Sequence, residues 1–515
     1  MFSLSLKPSL RAVAASLFIG ISAAALQATD GTFNQTTAGT YSWDTAGNWT
    51  PGNIADGSGF TATFTSGSTG TFIVTVDSDR TIGNLTFANH AWQLNGSSIL
   101  TLAGGSTPLI TVTSQAAIIN AKIAGTQGFQ TKGVLTLGGA NTYTGTTTIG
   151  ATGTGNSSSV TLTNNSALGA TGTGNNTVVS DGSTLILGNG VTITDETVGI
   201  STSSSTSGAL QASGTAEWAG NVLINNGNAR IGTSNASSQL TVSGVIGNGT
   251  NNNLIISGLG TTVLSGVSTY TGTSLIYRGT LKLDGGNNRM PTGTAFTMGS
   301  TADASTFNLN GRSQQLASLI DGTLTSNRTV TNSDAVTASV LTLSGAADAS
   351  FAGTGNTIIT GNLSIVKGGI FNQTLAKTNS YTGNTTINAG TLTLADDATM
   401  TFYIGANGVN NRILGTGSLA LNGDFIFDLT NAVATNGNSW QVADFSTLLE
   451  SIGGTFSVKD FTKSGSIWSS GNYHFSELTG LLSYGAAIPE PSAIAALAGG
   501  LTLGACALRR RRSVC

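Results

Sequence analysis

Three acidic groupings stand out in a chain that is almost without charge: Asp77-x-Asp79, Asp195-Glu196 and Asp396-Asp397. Carboxylates at controlled separation are what polysaccharide hydrolysis requires, one as acid and one as base or nucleophile. Neighbouring residues on a strand point to opposite faces, so Asp396 and Asp397 are not expected to converge. Asp77 and Asp79 share a face and have the donor type for Ca²⁺, although a solvated strand end explains them better. The two histidines, His90 and His474, are far apart in sequence and give little support to a histidine triad or a zinc site. No phosphate-binding loop, dinucleotide fingerprint or nucleophile elbow occurs in a credible context. The residues therefore predict no catalytic site, no metal and no cofactor.

The elements that carry these residues are strands. Of 515 residues, 71 are Gly and 8% are charged, while the hydrophobic fraction is 39%. That hydrophobicity argues against disorder. Val, Ile, Leu and Thr alternate in short runs such as FIVTV, TLILGN and GTLTLADD, separated by Gly and Asn. Period-two alternation between turn residues predicts an all-β body of many short strands.

Both ends differ from the body. Lys7 and Arg11 precede an Ala-rich apolar stretch, Ala12 to Leu26, which has the build of a secretory signal peptide over residues 1–28. At the other end Pro489-Glu490-Pro491 precedes an apolar run, Ala493 to Leu508, and then Arg509, Arg510, Arg511 and Arg512. The run is somewhat short for a membrane helix of about 20 residues, and the arginines sit where cytoplasmic charge stops a transfer. With both ends set aside, the body has 14 basic and 22 acidic residues, a balance that argues against nucleic acid as a partner. Both cysteines, Cys506 and Cys515, lie in the tail, so no disulfide holds the body.

The body repeats itself. Align Tyr143, Tyr270 and Tyr381: six residues before each is Leu137, Leu264 or Leu375. Two residues after stands Gly145, Gly272 or Gly383, and six after stands Ile149, Ile276 or Ile387. One such unit cannot bury its apolar face alone, but stacked units share a continuous core. The expectation is a solenoid of roughly 20–25 residues per coil, with Thr and Asn bonding from coil to coil.

These units resemble the autotransporter-associated β-strand repeat family, whose copies look like G-T-L-T-L-x-G-x-N-T-Y-T-G-x-T-x-I-x-x-G-T-L. The likeness is close at Asn141 to Gly145 and at Tyr381 to Leu394, and looser where Ser268 replaces Asn. It implies a right-handed parallel β-helix exported from a bacterial cell, without enzymatic activity. The opening YSWDTAGNW is similar to the start of such proteins, with Trp43 and Trp49 capping the first coil or stacking on a sugar. No membrane β-barrel pattern follows Leu394, so the resemblance covers the repeat and not the export route. The tail resembles the PEP-CTERM sorting signal. That likeness implies recognition of Pro489, Glu490 and Pro491 by an exosortase-type membrane protease, with transient tethering in the inner membrane.

The expected organisation is a signal peptide over 1–28 and a β-helix over 29–419, with its clearest repeats near 133–150, 261–283 and 374–394. C-terminal coils or a cap follow over 420–487, and the sorting signal over 488–515. The expected function is that of a structural or adhesin-like protein of the cell surface or extracellular matrix, with polysaccharide as a candidate partner. The competing expectation is a polysaccharide hydrolase or lyase built on the same β-helix.

Overall fold

The computed structural model describes residues 28–485 except 114, 152–154, 202–207, 248–251, 323 and 354. The expected signal peptide, the Pro-Glu-Pro motif, the apolar run and the four arginines lie outside the described residues. Among the described residues the only helical element is a 3₁₀ turn at Ala46–Asn48, and no helix is long and apolar enough to cross a membrane.

The body is an all-β parallel solenoid. Its strands form a 25-stranded sheet, an 11-stranded sheet and two parallel 5-stranded sheets. From about Thr192 onward each coil has three sides, one of them contributed to the 11-stranded sheet that runs from Thr192–Ile193 to Asp424–Asp428. Alternation sets the inside. Leu94, Ile119, Leu137, Leu162 and Leu187 stand in consecutive register and are all fully buried. Aromatic residues stack in the same way near the N-terminus, where Phe64 lies 5.0 Å from Phe87 with the rings nearly parallel. Burying such columns is the main driving force for one coil to add to the next, at roughly 25 cal/mol per Å² of apolar surface.

Parallel stacks leave an open edge at each end, which invites association with other chains. Here the first strand, Gly31–Phe33, is covered by Trp49–Thr50 running antiparallel to it. At the other end five strands between Ser439 and Tyr484 form an antiparallel sheet over the last coil, with Trp440, Phe475 and Leu482 buried beneath. Lys463 sits on the outermost strand, Thr462–Ser464, where a charge discourages further pairing.

The repeat motif has a physical explanation. Tyr143, Tyr270 and Tyr381 are buried, and each hydroxyl pairs with the hydroxyl four residues on: Thr147 at 2.6 Å, Ser274 at 2.6 Å and Thr385 at 2.5 Å. The spacing thus satisfies a polar atom that would otherwise be stranded in the core. The leucines six residues before and the isoleucines six after are all inside.

Asn141, two residues before Tyr143, links three coils. Its Oδ1 accepts from the Ile123 N–H at 2.8 Å, and its Nδ2 donates to the Ala167 carbonyl at 2.7 Å. Asn379 takes the same place in the later copy and donates to Ala376 and Thr399 carbonyls. Ser268 is too short for this reach, and its buried Oγ has no hydrogen-bond partner among the described residues. Replacing Asn141 by Ala is expected to cost about 2 kcal/mol, since two buried backbone groups lose their partners. Urea unfolding compared with Ser268→Ala, which should cost much less, checks this.

Candidate functional site: an uncharged, threonine-ranked face

On the 11-stranded sheet the inward residues are mostly apolar, with Ser305, Arg328, Asn332, Thr357 and Asn379 among the buried polar exceptions, and the outward ones form two ranks along the rod. In the first rank Thr261, Thr280, Thr306 and Thr329 stand opposite one another on consecutive strands, followed by Ile358, Thr378 and Thr399. In the second, Asn308, Thr331, Thr360 and Ser380 are aligned, and Thr401 continues the register. All are half-buried, as outward positions within a sheet are. Neighbouring parallel strands lie about 4.8 Å apart, and residues two apart on a strand about 6.6 Å. Hydroxyls meet along the second rank, where Ser380 Oγ donates to Thr360 Oγ1 at 3.1 Å. At the rim Tyr403 donates its hydroxyl to the Ser380 carbonyl at 2.8 Å.

Asparagine rows occur as well, in pairs. Asn120 donates to Asn95 at 2.9 Å and Asn253 to Asn228 at 2.7 Å, each one coil apart. Longer polar ladders of this kind are threonine on this molecule, not asparagine.

The acidic groupings do not assemble a hydrolytic pair. Asp195 is exposed in a left-handed turn, while Glu196 is buried and faces the interior. Asp396 and Asp397 both lie on an exposed turn, not on a strand as the alternation argument assumed, and Asp397 pairs with Lys377 at 3.1 Å. Asp79 accepts from the Ile99 N–H at 2.8 Å, so it ties one coil to the next. His90 packs near Phe72, and His474 Nδ1 contacts Ser469 Oγ at 2.8 Å in the C-terminal sheet. No group of three potential metal ligands is present among the described residues. An open cleft of about 730 Å³ is lined by Asn156, Ser180, Asp181, Ser201 and Asn226, and Asp181 is its one carboxylate.

Trp43 and Trp49 are not available for sugar stacking. Trp43 is fully buried and Trp49 is 3% exposed. Their rings lie 5.1 Å apart within a cluster that includes Phe33 and Phe64. Both indole N–H groups are spent inside, on the Ala55 and Trp43 carbonyls. The aromatic pair seals the open end of the core, which yields more apolar burial than an exposed platform would. Arg80 holds this end closed by bridging Asp44 at 2.6 Å and Asp56 at 3.0 Å.

Besides Arg80, four charged side chains among the described residues are buried: Glu196, Lys367 and the pair Arg328 and Asp321. Glu196 Oε1 accepts from Thr177 Oγ1 at 2.8 Å, and its buried Oε2 has no hydrogen-bond partner among the described residues. Burial pushes its carboxyl up to about 7 against the help of Thr177. Lys367 takes the inward place held by Leu343 and Ile387 in the adjacent coils. Its Nζ donates to the Gly369 and Ala389 carbonyls and lies 3.8 Å from the Phe371 ring centroid, yet burial still lowers it to about 8. Arg328 and Asp321 form a buried pair at 2.5 Å, in which burial outweighs the arginine's attraction and raises the carboxyl. The inward place of Lys367 is visible in the alternation Leu363, Ile365, Lys367; sequence reasoning had passed over it because lysine is so rarely a core residue. These groups are enclosed by their own coils and face no substrate space.

No family model matches the chain, and no solved structure matches it. Over 96 residues, 18% of this chain, it is 42% identical to the adhesin BmaC autotransporter of Brucella suis biovar 1 (strain 1330). The chain spans 3% of that relative's length.

Proposed function

We propose that this chain is an exported bacterial surface or matrix protein of adhesin-like type, a right-handed β-solenoid that acts by presenting a long, uncharged, regular face. The ranked threonines carry this reading. The similarity of 96 residues of this chain to an autotransporter adhesin supports it. The inward orientation of Glu196 and the open turn of Asp396 and Asp397 tell against the hydrolase or lyase alternative. Export begins with the signal segment over 1–28. The tail over 488–515 then tethers the precursor in the inner membrane through Ala493 to Leu508, stopped by Arg509 to Arg512. An exosortase-type protease reads Pro489, Glu490 and Pro491 and passes the body outward.

The test is surface accessibility of the full chain in a bacterium that carries an exosortase. The unmodified chain should be cleaved from outside by added protease and should lose its tail. A variant with Pro489, Glu490 and Pro491 all changed to Ala should stay in the inner-membrane fraction at full precursor length. Equal surface exposure of both chains would sink the sorting proposal. Release of reducing ends from any bacterial or plant polysaccharide by the purified protein would instead favour the hydrolase reading.

A further inference from the structure

The ranks are more selective than strand preference explains. Threonine is favoured on any half-buried pleated surface, so all sides of the solenoid should carry it alike. They do not. On the neighbouring 5-stranded side the outward row reads Gln315, Thr342, Val366, Thr386, Leu414. On the third side a row reads Arg230, Ile255, Leu275, Thr297, Ile320. On the 11-stranded side two ranks run side by side over four coils as Thr329 and Thr331, Ile358 and Thr360, Thr378 and Ser380, Thr399 and Thr401, so that a hydroxyl or a branched methyl stands at every point.

We propose that this block binds the surface of ice. Each threonine presents one methyl and one hydroxyl, and its β-branching holds χ1 to few rotamers. A rank of threonines therefore repeats the same two groups at the coil spacing of about 4.8 Å, and the second rank repeats them about 6.6 Å away. The result is a two-dimensional lattice. The fitting ligand must be periodic on that scale in both directions, uncharged, and able to give and accept hydrogen bonds at every point. Crystalline water meets all three conditions: hydroxyls take the place of lattice waters, and methyls cover the hollows between them. Charge would disrupt this by organising its own hydration shell. In the ranks the flanking charged residues are Lys282 on one side of the block and Asp424 on the other, and none lies between. Ile358 is the one apolar substitution inside the block, and it keeps the branched methyl. A glycan chain is a poorer fit, because neither rank carries an aromatic residue on which a sugar ring could stack, and the ring that borders them, Tyr403, is tied by its hydroxyl to the Ser380 carbonyl at the rim. The inference rests on the surface-rod reading only in needing the face outside the cell.

The experiment measures inhibition of ice recrystallisation and ice-crystal shaping by the purified full chain. Three proteins are compared: the unmodified chain, T331K/T360K on the ranked face, and T342K/T386K on the neighbouring side. All four positions point outward, and melting curves confirm that each variant is folded. The unmodified chain and T342K/T386K should inhibit ice growth at similar concentrations, and T331K/T360K should need an order of magnitude more protein or fail. Absence of ice activity in the unmodified chain would overturn the proposal, as would full activity in T331K/T360K. Co-sedimentation with crystalline cellulose or chitin but not with ice would also overturn it while leaving adhesion intact. Loss of surface exposure in the sorting test would leave the ice result untouched.

Discussion

Raising the pH from about 5 to about 8 is expected to destabilise the coils around Glu196, and Glu196→Gln should remove most of that dependence. The carboxyl is 1% exposed, with Oε2 unpartnered among the described residues, and burial raises it from 4.5 to about 7. A folded-state value above the unfolded one means that the folded chain binds the proton more tightly. The associated stabilisation is complete below about pH 4.5 and lost as pH rises through 7. The shift corresponds to about 3 kcal/mol at one pKa unit per 1.4 kcal/mol. Tyr143 lies close enough to feel the Glu196 charge, and its phenol is pushed far up, mainly by burial. Because solenoid coils contribute stability locally, hydrogen exchange of the amides at 177–179 and 198–200 is the suitable readout. At pH 8 the glutamine variant should protect these amides more than glutamate does. At pH 5 the two should be nearly equal. Equal protection at both values would show that the carboxylate is solvated when charged.

The second large effect is expected at Gly244. A Cβ built there would lie 1.8 Å from the Gly220 carbonyl oxygen of the preceding coil. At Gly220 it would lie 1.7 Å from the Glu196 carbonyl, and at Gly266 2.1 Å from the Gly244 carbonyl. These three glycines form a column at one corner, where backbones approach too closely for any side chain. Gly244→Ala must therefore separate two coils or bend the corner, and a cost of about 4 kcal/mol is expected, at the upper end for a single substitution. Gly293→Ala is the control, because a Cβ there meets nothing within 4 Å. It should change stability by less than about 0.5 kcal/mol. A melting temperature for Gly244→Ala close to that of the control would mean that the corner relaxes freely.

The same distinction explains the repeat glycines. Gly145 has φ +93, as a turn glycine should. Gly272 and Gly383 do not need positive φ, but a Cβ would meet Asn252 O at 2.4 Å and Ser364 Oγ at 2.2 Å. Turn chemistry predicts glycine at these places, yet at two of the three the reason is the neighbouring coil.

Much of this protein was legible in its residues alone. Alternation placed the strands and their inner faces, because a side chain's direction on a strand follows from its parity. The spacing around Tyr143, Tyr270 and Tyr381 identified a stacked unit, because a motif that buries one tyrosine must supply its hydroxyl partner nearby. What only the tertiary structure decided was alignment between coils. The step from Thr261 to Thr280 is short and that from Thr329 to Ile358 long, so no count along the chain tells which threonine stands beside which. Pairing in register creates the ranked face, the glycine column and the burial of Glu196 beneath Thr177. Trp43 and Trp49 likewise fit either a cap or a sugar platform in one dimension. The open end of the core took them, because an unsealed core loses more by contact with water than two indoles gain by remaining exposed.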